Sequence, residues 1–172
     1  YLTLSQSTGN VILYKNFELG NTLYSTTTVG VITKSGARFI HNYKAPGTDG
    51  YNTFVGLNAG NFTMSGTLSD ASYNTGVGYG SLVYLTTGYN NSAFGLQSLY
   101  NTTSGSHNSA FGYQSLYNNT TGTLNTAVGY QSSFSNFTGL PCFFLFFSCS
   151  FFSSCCKASS NCSACFSLSL LG

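Results

Sequence analysis

Asn74-Thr-Gly-Val-Gly-Tyr-Gly-Ser opens a seventeen-residue unit that returns as Asn91-Ser-Ala-Phe-Gly-Leu-Gln-Ser, Asn108-Ser-Ala-Phe-Gly-Tyr-Gln-Ser and Asn125-Thr-Ala-Val-Gly-Tyr-Gln-Ser. A strict period of this length is the mark of a coil stacked on copies of itself, because each unit buries its apolar face only against its neighbours. Each unit also carries a glycine at its fifteenth position: Gly88, Gly105, Gly122 and Gly139. An imperfect earlier unit starts at Asn52 and reaches the next Asn after twenty-two residues, with Thr67 to Tyr73 as an insertion expected on a loop.

Period-two alternation places Thr126, Val128 and Tyr130 on one face and Asn125, Ala127, Gly129 and Gln131 on the other. One face is therefore β-branched or aromatic, through Val77, Phe94, Phe111 and Val128. The opposite face is kept small by Ala or Gly, then by Gly78, Gly95, Gly112 and Gly129. Such a column lets another backbone approach closely, in a narrow solenoid interior or at a packed subunit interface. The glycines at position fifteen are expected to take positive φ and reverse the chain, so that each coil reads strand, turn, strand, turn. A unit this short has no room for a helical crossover, so neighbouring coils pair in parallel. Two roles fit Asn74, Asn91, Asn108 and Asn125: local turn chemistry, or a ladder of amides hydrogen-bonded along the fibre axis.

The fold class expected is all-β, a parallel β-solenoid of seventeen-residue coils over residues 52–140. Residues 1–51 read as a β-rich segment of unclear register, with apolar runs at Asn10-Val-Ile-Leu-Tyr and Gly30-Val-Ile-Thr. Residues 141–172 hold all six cysteines in a Phe/Cys/Ser-rich tract. That tract reads as a cap on the last coil or as the product of a non-native reading frame; the pair Cys162-Ser-Ala-Cys165, without a second pair or nearby histidines, is a weak metal signal. Its longest apolar run, Phe143 to Phe152, is too short to span a membrane as a helix.

Only 5% of the residues are charged and the net charge is +2, which leaves no basic face for nucleic acid. The titratable groups, Glu18, Asp49, Asp70, His41 and His107 among them, are scattered, so no enzyme and no cofactor site is expected. His107 reads as an exposed turn residue and His41 as a buried or interfacial ring. Gly76-Val-Gly-Tyr-Gly lacks the Lys-Ser/Thr and the helix of a phosphate loop. The opening Tyr1-Leu-Thr-Leu has neither the basic start nor the apolar run of a leader peptide, and reads as part of a longer chain. Sequons stand at Asn61, Asn90, Asn101, Asn118, Asn119, Asn136 and Asn161.

Asn125-Thr-Ala-Val-Gly-Tyr and Asn108-Ser-Ala-Phe-Gly-Tyr resemble the Asn-Ser-Val-Ala-Ile-Gly repeats in the head domains of trimeric autotransporter adhesins. The longer unit, with its Asn119-Thr-Thr-Gly turn, is also similar to repeats of phage and virus tail fibres. The resemblance implies a left-handed β-roll, a homotrimer, and an adhesive or receptor-binding role at a cell or virion surface. Thin coils with few apolar side chains point the same way, since association supplies core that one chain lacks. Rows of Tyr79, Tyr113 and Tyr130 with nearby amides suit a host-surface glycan or receptor, although packing is the plainer reading, since Leu57 and Leu96 replace Tyr at the same position. Thr86-Thr87, Thr102-Thr103 and Thr120-Thr121 suggest an ice-binding array as a remoter reading. On the turn, Ser106 is expected to tolerate substitution.

Overall fold

The computed structural model describes residues 31–136 and the backbone of Phe143–Leu145. The Asn10 run, Gly139, Asn161, Cys162 and Cys165 lie outside the described residues, as does most of the cysteine-rich tract. Among the described residues eight strands form one sheet in chain order: β1 (Ile32–Lys34), β2 (Ala37–His41), β3 (Thr53–Val55), β4 (Thr75–Val77), β5 (Ser92–Phe94), β6 (Ser109–Phe111), β7 (Thr126–Val128) and β8 (Phe143–Leu145). From β3 onward every pairing is parallel and in register, Thr75 on Ser92, Ser109 and Thr126 in turn, so the chain is a β-solenoid. No described residue is helical.

Strand β8 pairs in parallel with β7, Phe143 opposite Thr126, so the seventeen-residue step crosses the change of composition at Pro141. At the other end the sheet changes character. β1 and β2 form an antiparallel hairpin, and β2 lies antiparallel on β3 through Ile40–Val55 and His41–Phe54. The edge of the first coil, which would otherwise offer unpaired backbone groups, is thereby covered.

Each coil has one three-residue strand, at positions two to four, and not the two expected. The alternation stops at position five because Gly78, Gly95, Gly112 and Gly129 turn to φ values of 126–138°. Beyond it, positions seven and nine are left-handed, as at Gln97 (φ 56°) and Leu99 (φ 49°), which no strand tolerates. Rung-to-rung hydrogen bonds nevertheless continue through this half, Leu99 N–H to Ser115 O at 3.0 Å and Asn101 N–H to Tyr117 O at 2.9 Å.

The small face points inward. Ala93, Ala110 and Ala127 are fully buried, stacked beside the Ser81, Ser98, Ser115 and Ser132 column and the Leu82, Leu99 and Leu116 column. The Phe94 and Phe111 side chains of the other face are exposed. In the first coil Phe54 takes the place of the alanines, and it fits because its neighbour in the next rung is glycine: a Cβ on Gly76 would lie 3.0 Å from the Phe54 ring.

Position fifteen corrects the turn assignment. Gly88, Gly105 and Gly122 are not among the positive-φ residues; the left-handed turn falls on the last residue of each unit, Tyr73, Asn90, His107 and Leu124, with φ of 54–60°. The glycines are required for another reason, since a Cβ on Gly88 would collide with the carbonyl oxygen of Gly105 one rung on. The Thr67–Tyr73 insertion is a loop tied down on both sides: Tyr73 N–H donates to Gly50 O at 2.8 Å and Ala71 N–H to Thr87 O at 2.9 Å.

Candidate functional site

The most ordered feature of the molecule is a set of side-chain columns that run along its axis, one residue per rung. The innermost column is Asn52, Asn74, Asn91, Asn108 and Asn125, all at most 2% exposed. Asn91 shows the pattern. Its backbone N–H and its Nδ2 both donate to Asn74 Oδ1 at 3.0 Å. A second Nδ2 hydrogen crosses the coil to Gly105 O at 2.9 Å. Its own Oδ1 accepts from the N–H and Nδ2 of Asn108 at 3.1 and 3.0 Å. Every donor and acceptor of the amide is used, which is the condition for burying it. Of the two roles read from the sequence, the ladder is the one present; the left-handed residue of the turn is its predecessor in the chain.

The ladder ends in an ordered way at both termini. Asn52 Nδ2 donates to Tyr43 O at 2.9 Å and Ala71 O at 2.8 Å. At the far end the next position is Cys142, which has no amide, and Asn136 Nδ2 reaches Asn125 Oδ1 at 3.1 Å. No buried side-chain nitrogen or oxygen among the described residues lacks a partner.

Gly78, Gly95, Gly112 and Gly129 line up beside this ladder. A Cβ on Gly95 or Gly112 would meet the carbonyl of the next glycine in the column, and on Gly56 it would lie 2.5 Å from Gly78 O. Close approach of stacked backbones, expected from the sequence, is therefore their role, together with a φ that other residues rarely adopt. Their carbonyls also accept the hydroxyls of the serine column, Ser98 Oγ to Gly95 O at 3.3 Å and Ser115 Oγ to Gly112 O at 3.2 Å.

The outer columns are stacked likewise. Gln131 Nε2 donates to Gln114 Oε1 at 2.9 Å, and Gln114 Nε2 to Gln97 Oε1 at 2.8 Å. Gln131 is half-buried and outside, so the alternation that grouped it with Ala127 fails after Gly129. The Phe94 and Phe111 rings stack at 5.1 Å and 4°. Tyr100, Tyr117 and Phe134 stack at 5.0 and 4.9 Å within 5° of parallel. The row expected from Tyr79, Tyr113 and Tyr130 is only partly assembled: Tyr113 and Tyr130 stack at 5.1 Å, while Leu96 stands between Tyr113 and Tyr79. The leucine and outer aromatic columns escaped the sequence reading, although Leu82, Leu99 and Leu116 recur at the period; a strand pattern carried past Gly78 hid them.

Ser106 is not the neutral turn site expected. It is buried, and its Oγ accepts the Tyr89 N–H at 3.1 Å. His107 is exposed and meets Tyr89 edge-on at 5.0 Å. His41 is buried in the hairpin cap, its Nε2 donating to Ala59 O at 2.8 Å and its Nδ1 accepting from Tyr43 N–H at 3.3 Å. The ring lies 4.9 Å from Phe54 and 4.6 Å from Phe62. Desolvation, opposed by the Ala59 hydrogen bond and aided by nearby Arg38, lowers its pKa from 6.5 to about 4. Arg38 stacks on Phe62 at 5.3 Å and donates to Gly60 O at 2.7 Å and Ala59 O at 3.1 Å.

Among the described residues no cluster of three or more His, Cys, Asp or Glu could hold a metal, and no helix is long and apolar enough to cross a membrane. Fold and columns define a β-solenoid repeat protein. No protein-family model, no curated protein and no solved structure matches the chain.

Proposed function

We propose that this chain is a structural segment of a fibrous surface appendage, extracellular or on a virion, that associates as a homotrimer and serves attachment rather than catalysis. The observation that carries the reading is the unbroken inner asparagine ladder beside continuous backbone pairing, in which each rung takes partners from the rungs on either side. This is how a fibre is built. The described coils are one unit thin, with alanine, serine and asparagine occupying much of their interior. Such a core buries little apolar area per chain, and association offsets that shortage.

Two other readings draw less support. A row of tyrosines binds sugar through ring faces, yet the faces of Tyr113 and Tyr130 are turned to one another at 12°. An ice-binding array needs free threonine hydroxyls. Here Thr86, Thr102 and Thr103 donate theirs to the carbonyls of Thr103, Asn119 and Thr120 on the next rung, at 3.0, 2.8 and 3.1 Å.

Sedimentation equilibrium of the full chain tests the proposal. The expected result is a trimer mass at micromolar concentration, and a monomer across that range would overturn the association.

A further inference from the structure

We infer that the outer stripe made by positions four and six of each coil is the face on which a second copy of this chain packs, axes parallel and rungs in register. The inference rests on the self-association proposed above and adds which face is used. Phe94, Phe111, Leu96, Tyr113, Tyr79 and Tyr130 are 37–63% exposed and form two columns that flank the glycine column in the chain. With aromatic side chains of 150–250 Å² each, the stripe exposes roughly 500 Å² of mostly apolar surface, at the upper end of what a monomer carries. Flanked by the glutamine ladder and the half-buried Thr75, Ser92, Ser109 and Thr126, it approaches the ~800 Å² per partner of a stable interface.

Two further observations choose the occupant. From Ala71 to Asn136 the chain has no Asp, Glu, Lys or Arg. A charged partner therefore gains nothing from this face, while two copies meet without repulsion. The surface is also ridged. Its rings stack at 5.1 Å along the axis, so it presents ring edges at the rung spacing, with grooves between them. Ridges of about 4.8 Å period interdigitate with a surface of the same period, as in dry zippers between sheets. A second copy supplies that period; a globular protein surface does not. A third ladder, Tyr100 and Tyr117, is already half-buried and offers less.

The test compares the wild-type chain with Phe111→Lys/Tyr113→Lys and, as a control with equal added charge on exposed residues off the stripe, Tyr84→Lys/Leu124→Lys. Sedimentation velocity reads the oligomer, and circular dichroism with thermal melting reads the fold. The expected result is oligomeric wild type and control, with the stripe variant monomeric up to at least a hundredfold higher concentration. A folded stripe variant that assembles like wild type would overturn the assignment of the face. If lysines unfold the coil, Phe111→Ser/Tyr113→Ser removes the apolar stripe without charge and is judged by the same outcomes. A monomeric wild type overturns the self-association itself, and with it this face.

Discussion

One asparagine per coil does work that no other residue type can do. Aspartate has the shape of Asn108 but lacks the two hydrogens given to Asn91 Oδ1 and Gly122 O, and it would place a charge at a position of 0% exposure. Buried carbonyl groups left unpaired cost about 1–3 kcal/mol each, and the carboxylate escapes burial only by taking up a proton. Asn108→Asp is therefore expected to lower the unfolding free energy by about 3 kcal/mol or more at neutral pH, with part of the loss recovered in acid. Urea titrations at pH 7 and pH 4 check both halves, and an undiminished midpoint at pH 7 would contradict the ladder. That the asparagines mattered was legible from their spacing. That their role was a ladder was not, because turn chemistry and amide stacking select the same residue, and only the depth of burial separates them.

At the scale of one coil, the decisive feature is the glycine at position five, where strand ends and chain bends. Gly112 combines a φ of 134° with a site for Cβ occupied by the carbonyl of Gly129. Gly112→Val should cost several kcal/mol, at or above the upper end of the roughly 1–3 kcal/mol of ordinary overpacking, since strain adds to the clash. Ser104→Ala, at an exposed turn position, should change the melting temperature little. Equal losses at the two sites would show that stacked backbones do not set the coil. The period, the parallel pairing and the small face could be read from the repeats; that this face lines the interior, and not a subunit interface, came from the burial of Ala93, Ala110 and Ala127. The second half of the coil could not, because Leu82, Leu99 and Leu116 are buried with φ near 50°, a conformation leucine adopts only when surrounding structure enforces it. Propensity assigns such a leucine to a strand or a helix. Position fifteen misled in the converse way: glycine suggested a turn, and the reason for it lay in the rung above.

For the whole molecule, the N-terminal hairpin closes one end of the stack and carries a buried neutral histidine. A His41 pKa of about 4 when folded against 6.5 when unfolded means that the unfolded chain binds the proton first. The associated stability is complete above pH 6.5 and is lost as pH falls towards 4, by about 3 kcal/mol over the window. Arg38, the charged group beside it, adds to the penalty by repulsion. Protection factors of the β2 and β3 amides, in which the intrinsic slowing of exchange in acid is divided out, should fall over that range in wild type and much less in His41→Gln; identical profiles would remove the histidine from the cap. The opposite end differs in kind. Along the ladder, each amide from Asn74 to Asn108 gives one hydrogen to the asparagine on its N-terminal side and accepts from the one on its C-terminal side, so a coil already in place holds out an oxygen for hydrogens that belong to chain still to come. Contacts reach back only one repeat, a short loop closure for an all-β protein, and folding can therefore keep pace with synthesis, each emerging unit docking on the one before it. A nascent chain halted after several repeats would be a shorter stack of the same kind with a waiting end.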